Sequence, residues 1–365
     1  MTIVARFKVD NIYPIIIGDL LLSAPEQPGR HIVLPTIEDI TDIFPEGSGY
    51  GPSGLQQKIA VVADNLVIGW AGSRIAAKAV ISDLYTKSQI ELFTKDSLAD
   101  YFASIQQHIG NLDIEFTGFI KDADRIIGFS YPDFLVQTHR FGKISLLGTG
   151  RQNVQGVLDQ FSELPPAQQG DPNIFARSLA FALGLTGFFL NEEMSNAESL
   201  LHFFGGGYEI ATFVRGKFQK LDDIMYVFWN VRIDNNGEGQ ISLPYQVFSY
   251  AYSDDLLLIR SIPLSETQDH LSARQSIYGV SPIYREVARE EWSRVQVPTL
   301  DKKWLCNYFL VSPPSGQPEI FARVDHRGER DSYLRFLEEG QRMVMSVEDA
   351  FIQRVAQDIF GRFQP

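Results

Sequence analysis

The sequence predicts an α+β fold in which antiparallel sheets stack on one another with helices outside. Three observations carry this expectation. Paired strand segments alternate with paired helical segments along the first two thirds of the chain, the strand pairs are joined by connections short enough for hairpins, and the last third is strand-rich before a closing helix. A parallel sheet needs a crossover of a dozen or more residues between successive strands, and strands that follow one another directly do not supply it.

Apolar segments at residues 3–7 and 13–19 flank the polar stretch Lys-Val-Asp-Asn, which reads as a hairpin turn. Residues 23–54 are rich in proline and glycine, too irregular for a core element and long enough for a functional loop. Residues 58–72, KIAVVADNLVIGWAG, place two short apolar runs around Asp64-Asn65, the strongest hairpin signal in the chain. Ser73 then caps a helix over 74–87. A second helix covers 96–109, where Leu98, Phe102, Ile105 and Ile109 recur at helical spacing between Thr94 and Gly110.

Strands return at 113–120, 125–131 and 143–150, followed by helices at 153–161 and 175–190 that are separated by a loop at 164–173. Residues 205–214 and 223–233 read as strands again. Beyond Asp234 come strand segments at 241–252, 256–262, 304–311 and 319–325, then a helix striped by Val347, Phe351, Val355 and Ile359. Residues 1–233 are therefore expected as one domain, with 234–365 as a separate domain or an extension.

Composition narrows the function. Hydrophobic residues at 44% and charged residues at 21% of the 365 are ordinary globular proportions and argue against disorder. A net charge of −13 argues against nucleic acid or an anionic membrane as partner, since both repel an acidic field. Lys8, Asp10 and Asp19 interrupt any leader-like run, and no apolar stretch is expected to reach the roughly 18–20 residues of a membrane span. Cys306 is the only cysteine, so no internal disulfide can form and a reducing, cytoplasmic setting is expected. It lies in an apolar strand and reads as buried packing rather than as a nucleophile.

The histidines at 31, 108, 139, 202, 270 and 326 lack metal-ligand spacing, so neither a metal nor another cofactor is expected. His202 reads as a core or capping residue. Gly148-Thr149-Gly150-Arg151 lacks the lysine and the spacing of a phosphate-binding loop.

Six features occur in order along residues 1–230: Thr2-Ile3-Val4 at the start, Gly18-Asp19 at a strand end, Lys58, Gly69-Trp70-Ala71-Gly72 leading into a helix, Gly148-Thr149-Gly150, and the pair Gly206-Gly207. This ordered set resembles the proteasome β-subunit family and its bacterial ring-protease relatives. The resemblance implies an N-terminal nucleophile hydrolase fold, a four-layer αββα sandwich, and a threonine that cleaves a peptide or other amide bond through an acyl-enzyme.

In that reading Thr2 becomes the first residue after Met1 is trimmed, and its α-amino group serves as base for its own hydroxyl. An α-amine titrates near 7.7–8.0 by the usual scale, so a good part is neutral at about pH 7. Lys58 supplies a fixed positive charge, Asp19 pairs with Lys58, and Gly72 donates a backbone N–H to the oxyanion. The resemblance also implies rings, hence a homo-oligomer. It leaves two registers open at the start, with either Thr2 or Met1 at the nucleophile position; Met1 keeps strand facing to Asp19 without a bulge. Arg151 and His202 depart from the family pattern. They carry the alternative, a catalytically inactive proteasome-like scaffold for assembly or ligand binding.

Overall fold

The computed structural model describes residues 2–25, 32–37, 43, 49–110, 112–132, 137–139, 142–160, 174–235, 238–267, 270–273, 275–313, 318–326, 333–339 and 342–362. Met1, His31 and the expected loop at 164–173 lie outside these residues, as do residues 26–31, 38–42 and 44–48 of the stretch 23–54. The protein is an α+β fold with several antiparallel sheets. It divides into two compact units: residues 1–182, 192–221 and 280–294 form the first, and residues 183–191, 222–279 and 295–365 the second.

The first unit begins with β1 (Val4–Val9) and β2 (Tyr13–Asp19), paired over six residue pairs without interruption from Val4↔Gly18 to Val9↔Tyr13. Asp10 and Asn11 take positive φ in the turn, which short polar side chains tolerate. Next come β3 (Leu21–Pro25), β4 (Tyr50–Leu55), β5 (Ile59–Ala63), β6 (Leu66–Gly72), α1 (Arg74–Ser88), α2 (Lys95–Ile109), β7 (Ile114–Asp122) and β8 (Arg125–Tyr131). β9 (Gln137–His139), β10 (Gly142–Leu147), α3 (Arg151–Gln160), α4 (Ile174–Asn196), α5 (Glu198–Leu201), β11 (Tyr208–Val214) and β12 (Lys217–Lys220) follow.

One sheet has six strands in the order β12-β11-β2-β1-β10-β9, and a second has four, β5-β6-β7-β8. Val4, Ile16, Leu147, Ala211 and Phe218 of the six-stranded sheet bury against Ile59, Val67 and Phe119 of the four-stranded sheet. The other face of the four-stranded sheet is covered by α1 and α2, through Ala77, Ile81, Leu84, Leu98 and Phe102 packed on Trp70 and Phe116. Ser73 accepts from the Ala76 N–H at the start of α1, and Thr94 and Ser97 form a reciprocal capping box at the start of α2. The ends of the expected loop 23–54 instead form a two-stranded ribbon, β3 with β4. Their proline and glycine content hides the usual strand signal.

The second unit holds β13 (Ile224–Ile233), β14 (Gly239–Ser253), β15 (Leu256–Thr267), β16 (His270–Ala273), β17 (Ser276–Val280), β18 (Trp304–Ser312), β19 (Glu319–His326), β20 (Leu334–Glu339), β21 (Arg342–Val347) and the helix α7 (Asp349–Phe360). The short α6 (Arg289–Trp292) belongs to the segment that returns to the first unit. A seven-stranded sheet contains β13 to β19, with β13 and β18 parallel. Phe351, Val355 and Ile359 of α7 bury against Trp229 and Phe309.

β13 thus belongs with the strands after it, so the division falls at Leu221 and Asp222 rather than after residue 233. The expected absence of a span-length apolar segment is also corrected. At 23 residues, α4 is long and apolar enough to cross a membrane by length and composition. Its Leu179, Ala182, Leu183, Leu185 and Leu190 are buried in the protein, as are its polar Ser178, Thr186, Asn191 and Glu193, a pattern of core packing.

Candidate functional site

Thr2, Asp19 and Lys58 are brought together at the end of the β1–β2 hairpin. The ladder continues one residue beyond its last sheet pair, so the Asp19 N–H donates to the Ile3 carbonyl at 3.1 Å. That places the Asp19 side chain beside the start of β1, where its Oδ1 accepts from the Thr2 hydroxyl and, at 3.0 Å, from the Ile3 N–H. Its Oδ2 accepts from the Gly205 N–H at 3.0 Å. Thr2 and Asp19 are both fully enclosed, at 0% exposure. Burial pushes the Asp19 carboxyl up from its ordinary value, and the charge of Lys58 and the three hydrogen bonds pull the other way.

Lys58 stands just before β5, and its ammonium lies over the Trp70 ring, 4.4 Å from the centroid. Burial lowers its pKa to about 8 against the opposing attraction of Asp19 and Glu209, with Arg74 adding to the fall. The expected pairing of Asp19 with Lys58 is therefore through space: no ion pair joins them, and the carboxylate spends its hydrogen bonds on Thr2 and two backbone donors. The distance follows from Lys58 turning onto the indole of the neighbouring strand.

Gly72 ends β6 with φ +100°, and a Cβ there would lie 2.1 Å from the Asp113 carbonyl oxygen, so only glycine fits. It lines a cleft of about 380 Å³ together with Ala71, Asp113, Glu115, Gly148 and Arg151. Gly148 packs on the Thr2 carbonyl so closely that a Cβ would meet its oxygen at 2.0 Å. The Gly148–Gly150 turn therefore links this cleft to the main chain of Thr2.

Arg151 ion-pairs with Glu115 at 3.1 Å and its Nε donates to the Gly148 carbonyl at 3.0 Å, bracing that turn. His202 is no core residue. It is exposed at the C-terminal cap of α5, and its carbonyl accepts from the Thr149 hydroxyl at 2.9 Å. Cys306 is fully buried, as expected of packing.

Two carboxylates complete the surroundings and were not foreseen. Glu209, on β11, accepts from the Lys58 N–H at 2.5 Å and the Ile59 N–H at 2.7 Å, and from the Lys220 ammonium at 2.5 Å. Glu193 on α4 accepts from the Gly206 N–H at 2.9 Å, from the Ser199 hydroxyl at 3.3 Å and from the Thr36 hydroxyl. Burial raises its carboxyl to about 7. The turn Gly205-Gly206-Gly207 thus offers successive N–H groups to Asp19 and Glu193, and its carbonyls accept from Leu20 and Leu21. Glu209 interrupts the otherwise apolar run YEIATFV, and an acid so placed is seldom buried without partners; Glu193 lies in the polar stretch NEEMSN that ends α4 and carries no such signal.

Chemically, the arrangement holds a hydroxyl against a carboxylate in a dry setting, with a cation of lowered pKa nearby. Such clusters of perturbed groups are found at functional sites and also in structural networks. No family model matches the chain, and no curated protein matches it.

Proposed function

We propose that this chain is a proteasome-like N-terminal threonine hydrolase, with the four-layer αββα arrangement of that class, acting on amide or peptide bonds. The observation that carries the reading is the Thr2 hydroxyl bonded to buried Asp19, beside Lys58, at the start of the first strand. Removal of Met1 frees the Thr2 α-amine. That amine takes the hydroxyl proton as the oxygen attacks the substrate carbonyl carbon, and the Gly72 N–H stabilises the resulting oxyanion. The intermediate collapses with cleavage of the C–N bond, the proton passes from the α-ammonium to the departing amine, and an ester remains on Thr2. Water, deprotonated by the same amine, then hydrolyses the ester.

Lys58 favours the deprotonated forms of the amine and hydroxyl, and Asp19 orients the hydroxyl. Self-association and a cytoplasmic setting belong to the same proposal. Comparing wild type with Thr2→Ala for peptide hydrolysis tests it, and equal rates would remove Thr2 from the chemistry.

A second reading, an inactive scaffold, is favoured by one observation: Thr2 is wholly enclosed behind an unbroken β1–β2 ladder, the register that sets Met1 at the family's nucleophile position. That reading expects a mature chain that keeps Met1, hydrolyses nothing and still assembles, which light scattering on the purified protein measures.

A further inference from the structure

A second feature of the first unit owes nothing to Thr2. Arg6 and Lys8 alternate with Phe7 along β1, so both leave the six-stranded sheet on the face that meets the four-stranded one. On that face Val4 joins the apolar cluster between the sheets; two and four residues later the filling turns cationic. Arg6 is only 5% exposed. Its Nε donates to the Thr117 hydroxyl at 2.9 Å, its guanidinium carbon lies 5.3 Å from the Phe119 ring centre, and Gly128 rests against its Nη1. The Lys8 ammonium donates to the Ile126 carbonyl at 2.6 Å.

Arg6 and Lys8, with Asn11, Arg125 and Lys143, line a cavity of about 670 Å³ whose remaining wall is Ile126, Ile127 and Gly128. Four cations and no carboxylate line it, in a chain with 45 acidic and 32 basic residues. Among the described residues none of the four forms an ion pair, although Asp10 and Asp124 stand on the adjoining turns. Burial draws the Arg6 guanidinium down to about 10, and burial with the charge of Arg6 lowers Lys8. Arg6 stays charged near neutrality, and a buried charge without a counter-charge is costly.

A fold stabilised by apolar contact between its sheets has no structural use for two neighbouring cations there. A bound anion gives them one. The cavity falls within the roughly 300–1,000 Å³ of small-molecule sites and is larger than one phosphate group needs. Four cations exceed the charge of about −1.5 to −2 that a single phosphate group carries near neutrality and suit the greater charge of a diphosphate, whose oxygens guanidinium and ammonium groups recognise well.

We propose that this cavity binds a diphosphate group, inorganic or esterified, with Arg6 and Lys8 at its floor and Arg125 and Lys143 at its rim. Calorimetric titration of the full chain with sodium pyrophosphate, with a nucleoside diphosphate and with orthophosphate tests it. Expected is one-site binding that weakens as salt is raised and that drops roughly tenfold in each of Arg125→Glu and Lys143→Glu, with Lys303→Glu unaffected. Both rim residues are exposed, so these variants keep the fold, which circular dichroism verifies. Tighter binding of pyrophosphate assigns the inorganic form, and tighter binding of the nucleotide assigns the ester. The proposal is overturned by no saturable binding at millimolar pyrophosphate, by orthophosphate binding equally well, or by rim variants that bind like wild type.

Discussion

Replacing Thr2 with valine exchanges a hydroxyl for a methyl of nearly equal size, so the enclosed pocket stays filled and one interaction is lost. Asp19 accepts three hydrogen bonds, from the Thr2 hydroxyl, the Ile3 N–H and the Gly205 N–H. A hydrogen bond to a charged group contributes about 1.5–3 kcal/mol. The carboxylate keeps two backbone donors and the field of Lys58, so Thr2→Val should cost about 2 kcal/mol, near the lower end of that range.

Asp19→Asn is harsher, because its amide nitrogen turns a donor toward a backbone donor, and an unsatisfied buried group costs about 1–3 kcal/mol on top of the lost charge. The two substitutions share one interaction, so their effects should fall short of additive by about 1 kcal/mol or more. Urea unfolding followed by tryptophan fluorescence measures this, since Trp70 lies against Lys58 and reports on the same region. Thr2→Val within about 0.5 kcal/mol of wild type, or strictly additive effects, would refute the reasoning.

Three further outcomes are expected. Glu193 has its carboxyl raised from 4.5 to about 7, so the folded state holds a proton that the unfolded chain has lost between those values. Stability should therefore fall as pH rises from 4.5 to about 7, by about 3 kcal/mol in all, and Glu193→Gln should flatten that fall; an unchanged slope would contradict the burial argument. Lys58 runs the opposite way: lowered from 10.5 to about 8, it has lost its proton in the folded state between those values, while the unfolded chain still holds it. Stability should rise from pH 8 toward 10, and the Lys58→Met variant should lack that component of the rise in the same unfolding assay. Gly72→Ala forces a Cβ to 2.1 Å from the Asp113 oxygen at φ +100°, so a loss above about 2 kcal/mol is expected, and wild-type stability would show that the turn can relax.

Features fixed by near neighbours were legible in the sequence. The hairpin at Asp64-Asn65, the caps at Ser73 and Thr94 and the stripe Phe351, Val355 and Ile359 of α7 each depend on residues a few positions apart, whereas Val347, expected as the first member of that stripe, ends β21 instead. Features fixed by distant pairing were not. β13 lies parallel to β18, which comes far later in the chain, so nothing local told that it leaves the first unit. β3 and β4 lack alternation and carry Pro25 and Pro52, so they read as loop.

The site divides along the same line. Thr2, Asp19 and Lys58 were found through the order of short motifs, and the first two meet because one hairpin register brings them together. Glu209 and Glu193 reach the same place only through β11 pairing with β2 and through the glycine turn before it, contacts no local pattern encodes. Lys58 was expected on Asp19 and instead faces an indole, a choice that only the packed strands decide.

The hydrolase account stands or falls on whether residue 2 leads the mature chain with a reactive hydroxyl. Intact-mass spectrometry of the purified protein, before and after incubation with a peptide epoxyketone that requires both a free α-amine and its neighbouring hydroxyl, measures both at once. The account predicts a chain lacking Met1 that takes up one equivalent of probe at Thr2, and none in Thr2→Ala. A chain that retains Met1 and stays unlabelled would contradict it.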